Sequence, residues 1–191
     1  MAKTGWRLEY RRAMGAVFGR LRGESVMRMS ASDQSSFPIF TNYVKHSLRQ
    51  VLHVPLIVNN MKKFGSLSES ELSTALSWNT DPSIVIVTLP PFGPAGCLAD
   101  GLYEQDFPNQ FKLSLGRVQD FEAGPMLATD LNARGEKVII VGVIVLHELC
   151  HWGNFTHGVS EATEAGIAFC VATYGRRIPV FSRVEEMIIT P

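Results

Sequence analysis

Apart from the long apolar run described below, the pattern along the chain predicts three helices. Apolar residues recur at three- and four-residue intervals in "PIFTNYVKHSLRQVL", which is typical of an amphipathic helix. A second helix is predicted in "SLSESELSTALSW", where Ser68 and Glu71 form a capping box. A third is predicted from Ser160, as the N-cap residue, to Tyr174, with Gly175 as its stop.

Other segments have the pattern of strands. "HVPLIVNN" predicts a short strand, and the β-branched "SIVIVTLPP" predicts a central strand that ends at two prolines. "NQFKLSLGRVQDFE" alternates apolar and polar residues, which indicates a strand with one solvated face. The glycine- and proline-rich "PFGPAGCLADG" is predicted to be a loop. Helices and strands together indicate an α+β fold.

The longest apolar run, "VIIVGVIVL", leads directly into a histidine. Its nine residues fall far short of the roughly 20 that span a bilayer, so we predict a buried helix over Val138 to Trp152. The N-terminal "MAKTGWRLEYRRAMGAVFGR" has no uninterrupted apolar core, so no secretory signal is expected there.

The first part of the chain differs in charge from the rest. Residues 1–30 carry seven basic and two acidic side chains, and "SASDQSS" has the composition of a linker. We therefore expect a basic arm and linker over residues 1–36 and one domain over residues 37–191. The arm is either a solvated segment, a former link to a larger upstream polypeptide, or a docking segment for a partner.

Composition narrows the class of protein. The chain is 46% hydrophobic and 19% charged with a formal net charge of zero, so no global charge favours nucleic acid or an anionic membrane. Three cysteines are too few for a disulfide scaffold, and their odd number leaves a free thiol. We expect synthesis in a reducing compartment.

Three of the five histidines lie within "LHELCHWGNFTH". His147 and His151 are four residues apart, so on a helix both imidazoles leave one face, about 40° apart. Glu148 lies on the adjacent flank, where it can contact a metal-bound water. This H-E-x-x-H pattern predicts a zinc site in which an open coordination position activates water.

A third ligand has to come from beyond this pair. His157 follows His151 by six residues, and Gly153 with Asn154 is expected to end the helix and turn the chain back. The alternative is an acidic residue of the next helix, Glu161 or Glu164. If His157 is the ligand, Glu164 either orients a histidine N–H or interacts with the helix dipole.

The string from His147 to His157 resembles the metzincin zinc signature H-E-x-x-H-x-x-G-x-x-H, with Asn154 at the glycine position. Together with "EATEAGIAFCVATYG" and "FKLSLGRVQDFE", it makes the C-terminal two thirds similar to metzincin-like zincin metallopeptidase domains of bacterial polymorphic toxins, sometimes called toxilysins. The resemblance implies a zincin-like fold: a small mixed sheet with an active-site helix and a C-terminal helix. It also implies export to target cells, toxicity by proteolysis and an immunity protein as a partner.

The expected chemistry is zinc-assisted peptide hydrolysis with Glu148 as general base. An edge strand from Phe111 to Gly116 is expected to pair with the substrate, which makes Lys112 and Ser114 candidate binding residues.

Four further residues have candidate roles in this chemistry; the alternative is packing for the methionine and the two tyrosines, and an ordinary loop cysteine for Cys97. Met187 is a candidate for the metzincin methionine turn, Tyr103 and Tyr174 for stabilising an oxyanion, and Cys97 for a latency thiol. The competing functions are a zinc hydrolase of non-peptide substrates and a non-catalytic metal-binding or adaptor module.

Overall fold

The structure is a computed structural model that describes residues 29–92, 97–126, 128–160, 164–178 and 181–182. Its α-helices are α1 Ala31–Ser36, α2 Pro38–Asn42, α3 Pro55–Phe64, α4 Glu69–Ala75, α5 Leu115–Ala123, α6 Ile140–Thr156 and α7 Ala165–Tyr174. Its strands are β1 Ser83–Val87, β2 Pro91–Phe92, β3 Cys97–Ala99, β4 Gly101–Tyr103, β5 Gln110–Ser114, β6 Thr129–Leu131, β7 Lys137–Ile139 and β8 Phe181–Ser182. The α+β class expected from the sequence is confirmed.

The N-terminal helices form one wall of the core. The segment expected to be a linker is helical from Ala31, with Ser30 as its N-cap and Met29 buried. The first predicted amphipathic helix is confirmed as α2, followed by a π-helical segment Tyr43–Ser47 and a 3₁₀ segment Leu48–His53.

Helix α3 occupies a segment predicted to be a strand, so that prediction was wrong. Pro55 begins the helix, a position where its fixed φ and missing N–H cost nothing. Ile57 and Met61 lie one turn apart and are both buried, so the helical spacing outweighed the local β-branched character.

Helix α4 begins as predicted. The Ser68 side chain accepts from the Glu71 N–H, and the Glu71 carboxylate accepts from the Ser68 N–H at 2.8 Å. This capping box fixes the start of the helix because it satisfies two backbone donors that lack helical partners.

The main sheet is mixed, with strand order β1–β5–β4. β5 pairs in parallel with β1 and antiparallel with β4, in the register Ile84↔Phe111 and Tyr103↔Phe111. The predictions that β1 is central and that β5 is an edge strand were therefore wrong. Burial explains the order, since Phe111, Lys112 and Leu113 are all buried and β5 has no solvated face.

The described residues also form two smaller sheets. β2, β3 and β8 form one, and β6 pairs with β7 as a hairpin. The segment predicted to be a loop thus contributes two short strands, while residues 93–96 lie outside the described residues.

Helix α6 runs through the centre of the fold, and most of its side chains are buried. It packs against β4 and β5 of the main sheet and against the helices α3, α5 and α7. This explains why its sequence shows almost no polar face. Among the described helices none has the length and apolar character needed to cross a membrane.

Candidate metal centre

Two imidazoles of α6 form the first half of the site. His147 is buried and His151 is partly exposed, and their Nε2 atoms lie 3.3 Å apart. The helical spacing of four residues predicted this approach from the sequence.

Glu164 completes the cluster from the next helix. Its Oε1 lies 2.6 Å from Nε2 of His151 and 3.1 Å from Nε2 of His147. Its second oxygen accepts from the Ile167 N–H, so Glu164 is also the N-cap of α7. The predicted N-cap, Ser160, was wrong, because α7 begins at Ala165.

The three side chains form a set that can hold a metal ion. Their donor atoms, two nitrogens and one oxygen, all lie within 4.8 Å of one another. Burial by itself would raise the pKa of the Glu164 carboxyl, but hydrogen bonds and charge from the two imidazoles outweigh it and hold the pKa far below its usual value. Glu164 is therefore a carboxylate at neutral pH and available as an anionic ligand.

His157 lies outside this cluster. Its Nε2 is 3.1 Å from Oε1 of Glu71, and more than a third of its side chain is exposed. The helix break that would bring it back is absent, because α6 continues to Thr156. Six helical residues rotate the direction of a side chain by about 240°, so His157 points away from His151.

Packing explains why α6 does not end at Gly153 and Asn154. A Cβ on Gly153 would lie 2.1 Å from the carbonyl oxygen of Gly65, so this glycine allows α6 to approach the end of α3 closely. Asn154 is buried, donates to the carbonyl of Phe64 and accepts from the Ser66 hydroxyl. The expected turn at these residues was wrong, since they dock the helix instead of ending it.

Glu148 lies on the flank of the cluster, where β4 covers it. The backbone N–H of Tyr103 donates to its carboxylate, and a Cβ on Gly101 would lie only 2.5 Å from its Oε1. Burial raises the pKa of Glu148 above its usual value, and the nearby histidines oppose this shift. A buried carboxyl of raised basicity beside a metal-ligand cluster is suited to accept and release a proton.

A comparison with known families decides the assignment. The sequence profile of Metallopeptidase toxin 3 (Tox-MPTase3) matches residues 33–175, which is most of the chain. The chain belongs to this family. It is a metallopeptidase toxin domain, so it uses a metal cofactor, its substrates are peptides or proteins, and it acts after export or delivery to target cells. No curated protein and no solved structure gave a significant match.

Helix α7 of this metallopeptidase toxin also sets the orientation of His147. A Cβ on Gly166 would lie 2.4–2.5 Å from three atoms of the His147 ring, so the imidazole lies flat against this glycine. The Cys170 sulfur is 3.8 Å from Nδ1 of the same ring, and burial raises the pKa of its thiol to about 12. The sequence reasoning missed both residues, although a glycine inside a predicted helix is a signal of close packing.

Among the described residues, the others that the sequence singled out are not part of the metal-ligand cluster. Lys112 is buried in an ion pair with Glu104, and Ser114 is the last residue of β5, directly before α5. The Tyr103 hydroxyl donates to the carbonyl of Pro108, and Tyr174 is buried against Phe169. Met187 lies outside the described residues, as does the side chain of Cys97.

Proposed function

We propose that the domain is a zinc-dependent endopeptidase in which His147, His151 and Glu164 bind the metal and Glu148 is the general base. The observation that carries the proposal is the Glu164 carboxylate, which lies within hydrogen-bonding distance of both imidazoles of the H-E-x-x-H helix. Two histidines and one glutamate are a known ligand set of catalytic zinc, with the fourth position open.

The spacing of the two imidazole nitrogens fits two ligands of one metal ion. Ligands about 2.1 Å from a tetrahedral ion lie roughly 3.4 Å from each other, and the two Nε2 atoms are 3.3 Å apart. The third ligand in this proposal differs from His157, which instead pairs with Glu71 at the end of α6. Imidazole and carboxylate donors together suit zinc better than calcium or magnesium, which prefer oxygen ligands alone.

A zinc ion held by His147, His151 and Glu164 would supply Lewis acidity, the property that activates water and polarises a scissile carbonyl. Glu148 takes the proton from the attacking water and later donates it to the leaving amine. Its carboxylate is held in place by the Tyr103 N–H, and its burial raises its basicity. The general base therefore comes from α6 and is positioned by β4.

Strand β4 is the element suited to bind an extended substrate. The carbonyl of Asp100, directly before β4, points toward β5 and accepts from the Ser114 N–H at 2.9 Å. In an antiparallel pair the backbone direction alternates, so the backbone groups of Gly101 and Tyr103 face away from β5, and on this side of β4 the Tyr103 N–H donates to Glu148. We propose that substrate lies along this side of β4, and not along the central strand β5.

The biological setting follows from the toxin family. We propose that a bacterial secretion system delivers the domain to target cells, where proteolysis causes toxicity, and that an immunity protein protects the producer.

Metal content tests the ligand set. Loss of a group that only hydrogen-bonds to a metal ligand lowers metal affinity about 10–100-fold. Glu164→Ala removes one of the three proposed ligands themselves, so its zinc affinity is expected to fall by more than this. His157→Ala, the matched control, should retain about one zinc per chain because it removes only a surface ion pair. Elemental analysis and chelator competition measure both; loss of zinc in His157→Ala with retention in Glu164→Ala contradicts the proposal.

Gly101→Ala tests the contact between β4 and Glu148. The new methyl would lie 2.5 Å from Oε1 of Glu148 and 2.6 Å from Cγ2 of Ile144, so the carboxylate has to move. We expect kcat to fall about 10–100-fold while zinc content is unchanged, because the base moves and the ligands do not. Gly116→Ala is the control, since its nearest neighbour would be 3.8 Å away; equal kcat in the two variants contradicts the expected contact.

A further inference from the structure

Helix α6 presents one large apolar side chain on the face that carries the metal ligands. Phe155 follows His151 by four residues, so it lies one turn, about 6 Å, farther along the helix and about 40° around it. From Val141 to Cys150 the helix is buried throughout, whereas Phe155 is 38% exposed. The face of the helix that carries the ligands therefore becomes exposed from His151 onward, and Phe155 is the next side chain on that face.

The ring of Phe155 packs against the edge strand that covers Glu148. Its centroid lies 5.9 Å from that of Tyr103, with 57° between the ring planes. Tyr103 is the last residue of β4, and its backbone N–H donates to the Glu148 carboxylate. The aromatic pair thus connects the ligand face of α6 to the strand proposed to bind substrate.

Two further contacts hold the pair in position. The Tyr103 hydroxyl lies 3.4 Å from the carbonyl of Pro108, in the turn that leads back to β5. Phe155 is fixed on α6, which Asn154 docks against the end of α3. An aromatic surface on two ordered elements binds a ligand at a low cost in conformational entropy.

We propose that Tyr103 and Phe155 form an aromatic subsite that binds a large apolar side chain of the substrate, at one fixed position close to the scissile bond. The inference rests on the proposed function and adds the class of substrate residue to it. A bulky aliphatic or aromatic side chain stacks on the exposed part of the Phe155 ring, while substrate backbone pairs with β4. Phe155 and Tyr103 determine specificity and take no part in proton transfer.

Cleavage profiling tests the subsite. The zinc-loaded protein digests a peptide library, and mass spectrometry identifies the residues on each side of every cut. We expect a preference for large apolar residues at one position, and a loss of at least about tenfold in that preference, as kcat/KM for Phe against Ala, in Phe155→Ala. Phe155→Leu should restore part of it, because it keeps an apolar side chain of intermediate size.

Leu131→Ala is the matched control. Leu131 is also an exposed apolar residue, but it lies in the hairpin that precedes α6, at the opposite end of that helix from Phe155. Its profile should equal that of the wild type. A profile with no apolar preference, or one that Phe155→Ala leaves unchanged, overturns the proposal.

A binding measurement separates this proposal from the proposed function. Calorimetry with zinc-loaded Glu148→Gln protein compares peptide hydroxamates that carry either a Phe or an Ala side chain. We expect the Phe compound to bind about tenfold more tightly, and addition of Phe155→Ala to remove the difference. If that difference is present but wild-type protein cleaves no peptide, the peptidase function fails and the subsite stands; equal binding of the two compounds overturns the subsite.

Discussion

Glu148→Gln is expected to lower kcat by a factor on the order of 10²–10⁴ while one zinc per chain remains bound. Glutamine keeps the size of the side chain, and its amide oxygen still accepts from the Tyr103 N–H. It has no basic oxygen, so it removes proton transfer and leaves His147, His151 and Glu164 intact. The expected loss of kcat is large because one residue, Glu148, both accepts the proton and donates it to the leaving amine.

Hydrolysis of a fluorogenic peptide and elemental analysis of the same sample measure this result. Asp106→Asn is the control, because it makes the same chemical change at an exposed carboxylate in the turn after β4. Full turnover in Glu148→Gln would exclude Glu148 as the base. Loss of zinc together with activity would instead make it part of the metal site.

Gly166→Ala is the second change with a large expected effect. The added methyl would lie 2.4 Å from Cδ2 and 2.5 Å from Cε1 of His147, so the ring has to tilt or α7 has to move away. Either change separates His147 from Glu164, whose Oε1 is now 3.1 Å from its Nε2. We expect zinc affinity to fall at least about 10–100-fold, as for loss of other groups that orient a metal ligand.

Alanine normally stabilises a helix relative to glycine, which makes this prediction specific. Gly116→Ala in α5 has nothing closer than 3.8 Å to its new methyl, and it should gain about 0.5–1 kcal/mol with unchanged zinc affinity. Chelator competition and urea denaturation, at a temperature where circular dichroism shows both variants folded, distinguish the two. Wild-type zinc affinity in Gly166→Ala would show that this glycine does not orient His147.

Some of the site follows from the sequence because it depends on contacts within one helix. The four-residue spacing of His147 and His151 fixes their common face wherever the helix packs. The capping box at Ser68 and the stop at Gly175 are likewise decided within a few residues, and both were confirmed. The metzincin-like spacing of His157 is also a local feature. It would bring His157 to the metal-ligand cluster only if α6 ended soon after His151.

Only tertiary packing explains why α6 does not end at Gly153 and Asn154. Close contact of Gly153 with the end of α3, and the hydrogen bonds of Asn154 to Phe64 and Ser66, carry α6 on to Thr156. The two hydrogen bonds join residues that are 90 and 88 positions apart in the sequence, so no local pattern contains them. The same holds for the order of the sheet, since burial on both faces made β5 central.

The sequence by itself determined the α+β class, the histidine pair and the adjacent Glu148, because each arises from the periodicity of one segment. Only the tertiary structure decided that Glu164 joins the pair, that Gly101 and Tyr103 contact Glu148, and that Gly166 supports His147. These contacts depend on how α7 and β4 pack against α6. How separate elements pack depends on the shape of the whole core, and the periodicity within one segment does not specify that shape.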